Sequence, residues 1–204
     1  MTANVFRTKT RLFDRWAPSY DWLFPSVFYQ AVHQRLLEFV DLPDSPNVLD
    51  VGCGTGRLLN RLVKQYPDLQ GTGLDLSPEM LAQARQKAID CDRIQFVQGA
   101  SHAMPFGDDQ FDAVFCSISF LHYPDPVAVL GEIKRVLKPQ GRFYLADYAP
   151  SKLFGGHQHF NISTTGGIYT HGPAERVALG QQAGLSFVDH HYLLGPILLT
   201  VWSA

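Results

Sequence analysis

The chain has 204 residues, 46% hydrophobic and 18% charged, with 17 Lys and Arg against 19 Asp and Glu for a net charge of −2. It is too apolar for disorder and long enough for one core, and no run of basic residues forms the stripe that nucleic acid would need. Three cysteines, Cys53, Cys91 and Cys116, are odd in number and lack CxxC spacing, which argues against a disulfide framework and for a reducing compartment. The N-terminal residues carry Arg7, Lys9 and Arg11 without an apolar leader core, and the apolar run 197–201 is far too short to span a bilayer. A cytoplasmic protein without a membrane span is the expectation.

Residues 26–40 place Phe28, Val32, Leu36 and Phe39 at steps of four, four and three, which lines one face of a helix. Pro43 and Pro46 break the chain, and Val48-Leu49-Asp50-Val51 reads as a buried strand entering a glycine cluster. A helix to about residue 66, a strand over 71–76, a helix over 78–88 and strands over 94–97 and 111–116 follow. Alternating strands and helices predict a mainly parallel sheet. Asp125-Pro126 reads as an N-cap with proline at the first helical position, and Val129, Ile133 and Val136 give that helix its buried stripe. Glu132, Lys134 and Arg135 fall outside the stripe, Pro139-Gln140-Gly141 should stop the helix, and 142–147 returns as a fifth strand. Residues 149–172 are rich in Gly, His and aromatics and show no period. A helix over 173–184 and two strands, 188–194 and 197–202, split by Gly195-Pro196, complete the chain as a hairpin.

The chemistry concentrates in Gly52-Cys53-Gly54-Thr55-Gly56, a turn that leaves a strand and opens a helix. Glycines admit left-handed backbone and let a ligand approach closely, while the helix N-terminus offers free N–H groups. Asp75 ends the next strand, where a carboxylate can accept both hydroxyls of a ribose. A dinucleotide fingerprint would put its third glycine at Arg57, and Asp50, two residues ahead of the turn, would repel a pyrophosphate but welcome an ammonium group.

With these residues placed, the sequence resembles the class I S-adenosylmethionine-dependent methyltransferases, above all the small-molecule group with the ubiquinone and menaquinone C-methyltransferases. The resemblance runs from about Phe13 to Asp147. It rests on Phe13-Asp14-Arg15-Trp16-Ala17-Pro18-Ser19-Tyr20-Asp21, the glycine turn, Asp75, Ala103-Met104-Pro105-Phe106, Phe111-Asp112 through Leu121-His122, and the segment from Glu132 to Gly141. It implies an α/β, Rossmann-like fold with a seven-stranded sheet of order 3-2-1-4-5-7-6, the last strand antiparallel, and helices on both faces. It divides one domain into a helical cover (1–45), a cofactor-binding core (46–147), a lid or substrate segment (148–172) and a final helix and hairpin (173–204).

Carried over by position, the resemblance makes S-adenosylmethionine the cofactor, with Asp50, Gly52, Gly54 and Thr55 as cradle for its methionine part. Asp75 becomes the ribose clamp, and Leu76 and Met80 the apolar cover of the adenine. Where family members have Gly-Asp-Ala, this chain has Gly99-Ala100-Ser101, so Ser101 or the backbone at Ala100 takes over from the missing Asp. Ser117 corresponds to a position near the methionine amino group, and Tyr20 belongs to a segment that folds over the cofactor. The family's Pro-Gly-Gly is Pro139-Gln140-Gly141 here.

Methyl transfer needs a base only if the acceptor must lose a proton. His122 is the first candidate, before His102, His157, His159 and His171. His157, His159 and His171 lack a Cys or carboxylate at ligand spacing, so no metal is expected. Nothing in the sequence around Cys53 marks it as an activated nucleophile. Aromatics at 6–29 and 154–169, Phe13, Trp16, Tyr20, Trp22, Phe24, Phe28 and Tyr29 among them, point to a flat apolar acceptor such as a phenol or quinone or, equally, to packing of the first helices on the sheet. Two other readings stay open: a binding protein of this fold without methyltransferase activity, and an NAD-dependent oxidoreductase.

Overall fold

The computed structural model describes residues 23–149, 159–160 and 167–204. Its order is α1 (Leu23–Leu37), β1 (Asn47–Val51), α2 (Arg57–Gln65), β2 (Gln70–Asp75), α3 (Pro78–Lys87), β3 (Ile94–Gln98) and β4 (Phe111–Ser117). A 3-10 turn (Phe120–His122), α4 (Pro126–Val136), β5 (Leu137–Tyr148), β6 (His159–Phe160), β7 (Ile168–Tyr169), α5 (Pro173–Gln182), β8 (Ser186–Leu194) and β9 (Ile197–Ser203) follow.

Seven strands form one sheet in the order β3-β2-β1-β4-β5-β9-β8. Pairs from β3 to β5 are parallel, and β9 runs antiparallel to both β5 and β8. Counting the strands of this sheet alone, the order is 3-2-1-4-5-7-6 with the last strand reversed, as the resemblance implies. The short β6-β7 ribbon is a separate two-stranded sheet within the aperiodic segment.

Both faces of the sheet are covered, so strand residues alternate between two apolar layers. Val48, Ala113, Phe115, Tyr144 and Ala146 pack with Val32 and Leu36 of α1 and Leu58, Leu59 and Leu62 of α2. On the other face, Leu49, Val51, Val114, Cys116, Phe143 and Leu145 meet Val129, Leu130, Ile133 and Val136 of α4. Each fully buried Val, Leu, Ile or Phe among them is worth roughly 1.5–3 kcal/mol of transfer free energy. Trp202 stacks on Phe143 at 5.2 Å, and α5 approaches so closely at Gly180 that a Cβ there would meet the indole.

Three boundaries differ from the sequence reading. Helix α1 begins and ends three residues earlier than 26–40: Val32 and Leu36 are fully buried, but Phe28 is exposed and Phe39 lies past the helix, stacked 4.0 Å from His191 of β8. Helix α4 ends at Val136, before Pro139, because Lys138 precedes proline and is pushed to extended backbone, and Leu137 already pairs with Phe111. The Pro139-Gln140-Gly141 turn is therefore a bulge inside β5, with Gln140 at φ 67°, and the fifth strand spans 137–148. Glu132 and Arg135 are half-buried rather than outside. Arg135 donates to Glu132, Asp108 and the carbonyls of Met104 and Phe106, and Glu132 accepts from Met104 N at 2.6 Å, which anchors the loop after β3. Among the described residues no helix is long and apolar enough to cross a membrane.

Candidate functional site

The carboxyl ends of β1, β2 and β4 meet at a topological switch point, where a crevice opens in sheets of this kind. Beyond Val51 the chain turns through Gly52, Gly54 and Gly56 at φ 73°, 51° and 74° and starts α2. The turn is tied to β2 by its backbone. Gly52 N and Cys53 N donate to the Leu74 carbonyl at 2.8 and 3.1 Å, and Gly54 N donates to Asp75 Oδ2 at 2.8 Å. The other Asp75 oxygen accepts from Ser77 N at 2.9 Å. One carboxylate thus bridges the glycine turn to the start of α3, where Ser77 Oγ caps Met80 N at 3.1 Å. Glycine is required at position 52, since a Cβ there would collide with Ser119 and come within 2.7 Å of Tyr123 Oη.

Two cavities adjoin at this turn and share Gly52, Gly54 and Ile118. The first is lined by Asp75, Leu76 and Met80 from the β2-α3 junction and by Ala100 and Ser101 after β3, with His122 on the 3-10 turn. The second holds Asp50, Thr55 and Ser117, together with Tyr29 and His33 from α1 and Arg57 from α2. Of the residues assigned to the cofactor, all but Tyr20 fall on one of these two walls, as does His122. Tyr20 lies outside the described residues, as do Phe13, Trp16 and His157 and the side chain of His159.

The remaining histidines divide differently. His102 is exposed and does not line either cavity. His171 is buried below Phe120, edge to face at 5.7 Å, with Glu175 Oε1 3.1 Å from its Nδ1. Among the described residues no three His, Cys, Asp or Glu side chains gather as metal ligands.

Burial sets the charges. Asp50 is 2% exposed, and desolvation, with the neighbouring Asp75 carboxylate, pushes its pKa up to about 8. His33 is driven down to about 3 by burial and by Arg61 and Arg57, so it is neutral, and its buried Nδ1 has no hydrogen-bond partner among the described residues. Burial likewise raises the Cys53 thiol well above its usual range, which leaves it inert as a nucleophile near neutrality. The Ser117 hydroxyl is buried and also lacks a partner among the described residues.

Four polar lining residues escape the sequence reading, His33, Arg57, Ser119 and Tyr123, and a fifth, Tyr29, enters it only as one of the N-terminal aromatics. Tyr29 and His33 sit four apart on α1, and that spacing of an aromatic and an imidazole on one face is the signal that was there to find. Ser119 and Tyr123 are likewise four apart, in a turn whose shape only the fold defines.

A methyltransferase domain family matches residues 48–141. Demethylmenaquinone methyltransferase of Listeria monocytogenes (strain HCC23) is 32% identical over 168 residues, 79% of this chain and 70% of that protein. The Thermotoga maritima enzyme of the same name is 35% identical over 151 residues, and the chain spans 65% of its length. Among solved structures, a chain of the complex between the Haloferax volcanii Trm112 methyltransferase activator and a methyltransferase superposes with a TM-score of 0.82 at 25% identity, covering 94% of this chain and 97% of that one.

Proposed function

Because the chain belongs to the class I S-adenosylmethionine-dependent methyltransferases, we propose that it moves a methyl group from S-adenosylmethionine to a small, flat, largely apolar acceptor of phenol or quinone type. The observation that carries the donor half is the Asp75 carboxylate, which braces the glycine turn through Gly54 and α3 through Ser77 and lines the first cavity at the carboxyl end of β2, where a ribose would lie. The residues present fit such a donor. A glycine cradle that a Cβ would fill lies between the wall of Asp75, Leu76 and Met80 and a polar pocket, and that pocket holds a buried acid, Asp50, and two buried atoms without a partner among the described residues, His33 Nδ1 and Ser117 Oγ.

In this reading Leu76 and Met80 cover the adenine, and Ser101, with the backbone at Ala100, takes its amino group in place of the Asp that relatives of this kind carry. Asp50, with Gly52, Thr55 and Ser117, receives the amino-acid end of the donor, and Tyr29 and His33 of α1 close over it. That placement supports the division into a cover (1–45), a core (46–147), a lid segment (148–172) and a terminal helix and hairpin (173–204), with Tyr20 in the cover.

The bound sulfonium supplies an already activated methyl group. What the chain adds is alignment in a dry pocket, an effect able to supply roughly 7–11 kcal/mol of the barrier. His122, on the first-cavity wall, is the group placed to take a proton from an acidic acceptor. The acceptor class is supported by the similarity to demethylmenaquinone methyltransferases and by the aromatic N-terminal segment.

Isothermal titration with S-adenosylhomocysteine and with NAD tests the donor. Binding of the first and not the second is expected. Heat from NAD alone would overturn the reading in favour of an oxidoreductase, and heat from neither would favour a binding protein of this fold with another ligand. Incubation with radiolabelled S-adenosylmethionine and 1,4-dihydroxynaphthalene tests the acceptor, with labelled naphthol product expected.

A further inference from the structure

The turn after β4 carries a polar feature that donor binding leaves unused. Ser119 Oγ and Tyr123 Oη lie 2.5 Å apart, and both residues line the first cavity. The pair stands directly on Gly52. Phe120 braces the Tyr123 ring edge to face at 5.8 Å.

Position gives the pair its meaning. The two cavities meet at Gly52, Gly54 and Ile118. On the reading above, the nucleoside end of the donor occupies one cavity and its amino-acid end the other. The sulfur that joins them, and the methyl it carries, must therefore cross at Gly52. A hydroxyl pair resting on Gly52 faces the place of transfer.

The chemistry of the pair is that of a donor. Burial keeps the Tyr123 phenol well above its usual pKa, so it stays protonated and cannot serve as a base near neutrality. Two hydroxyls bring two protons, and their mutual bond uses one. The second is left to offer to an oxygen of a bound ligand.

We propose that the Ser119–Tyr123 pair donates a hydrogen bond to an oxygen of the methyl acceptor, and so selects flat acceptors that bear a hydroxyl, carbonyl or phenolate oxygen beside the methylated atom. The proposal rests on the flat-acceptor reading but can fail separately from it.

The test is calorimetric titration of the S-adenosylhomocysteine-saturated protein with 1-naphthol and with naphthalene. The wild type should prefer 1-naphthol by about tenfold, the worth of one good hydrogen bond. Tyr123→Phe should reduce that preference to about twofold or less. Ser119→Ala, a smaller change, should reduce it partly, and it guards against a Tyr123→Phe protein that fails to fold. A preference that survives in Tyr123→Phe overturns the proposal, as does a variant that loses S-adenosylhomocysteine affinity while keeping the preference, since the pair would then serve the donor. Equal affinities in the wild type overturn it too. Binding of neither probe overturns the flat-acceptor reading beneath it.

Discussion

The two sides of the crevice are held together over different distances along the chain. On the donor side, Gly52, Cys53 and Gly54 are fixed by Leu74 and Asp75, and Asp75 also holds Ser77, so a stretch of strand, turn, helix and strand shapes itself. On the proposed acceptor side, the 3-10 turn with His122 is held by Asp147, whose carboxylate accepts from Leu121 N at 3.0 Å across a separation of 26 residues. Behind Asp147 stands Arg176 of α5, 2% exposed, which donates to the carbonyls of Asp147, Tyr148, Leu198 and His171 at 2.8–3.1 Å. The donor side is a local motif, and the acceptor side is a clamp assembled from the second half of the fold. Local motifs can be read from sequence spacing; clamps appear only when the sheet closes.

The largest effect expected comes from breaking the clamp. Burial lowers Arg176 to about 10, so it remains a cation at neutral pH, opposite the buried Asp147 carboxylate. Arg176→Met would leave that carboxylate unbalanced and four carbonyls short of a donor, at a cost of about 3–5 kcal/mol. For a chain of this size that lowers Tm by roughly 10 °C, to be read by differential scanning calorimetry. A loss below about 1 kcal/mol would show that the acceptor side does not depend on this cation. The same variant should spare S-adenosylhomocysteine affinity at temperatures where it is folded, because no part of the donor side touches Arg176. Equal damage to both would erase the contrast between the two sides.

The next effect comes from the donor side. Asp75→Ala removes the acceptor of Gly54 N and Ser77 N as well as the proposed ribose contact. Charge-assisted hydrogen bonds are worth about 1.5–3 kcal/mol each, so S-adenosylhomocysteine should bind more than tenfold weaker by titration calorimetry. The fall in Tm should stay below that of Arg176→Met. Unchanged affinity would remove Asp75 from the donor site and leave it as a brace of the turn alone.

This contrast also explains what the sequence could disclose. The strand before Gly52, the turn, the place of Asp75 and the Asp125 cap, whose Oδ1 accepts from Ala128 N at 3.0 Å, are readable because each depends on neighbours in the chain. The sheet order followed from a family resemblance whose motifs lie on those same local elements. Phe28 misled because its spacing fits an apolar stripe while α1 presents it to solvent, a matter of how the helix sits on β8 and α2. Pro139 misled in the opposite way, since pairing of Leu137 with Phe111 ends α4 before the proline does. Ser119, Tyr123 and Arg176 carry no periodic or motif signal, and His33 carries only its spacing from Tyr29. Their partners are supplied by elements far away in sequence, and Arg176 in particular reads as an ordinary charge on a helix until β5 and β9 enclose it.

The smallest effect tests the charge of the polar pocket. With its pKa raised to about 8, the Asp50 carboxyl is neutral in the free protein at pH 7 and half ionised at pH 8. A sulfonium arriving at Gly52 favours the ionised form, so binding releases a proton and tightens as pH rises toward 8. If only the ionised form binds well, affinity for S-adenosylmethionine should improve about fivefold between pH 7 and pH 8. His33 is already neutral across this range and does not oppose the trend. The sign for stability is the reverse. The folded chain holds the Asp50 proton more tightly than the unfolded chain, so the stabilisation is complete below about pH 4 and is lost as pH climbs through 8. Donor binding should therefore raise Tm more at pH 8 than at pH 7. Asp50→Asn should flatten the affinity profile between those values while leaving the Arg176 clamp, and the stability it provides, untouched. A profile equally steep in that variant would place the titrating group elsewhere and separate Asp50 from the donor side.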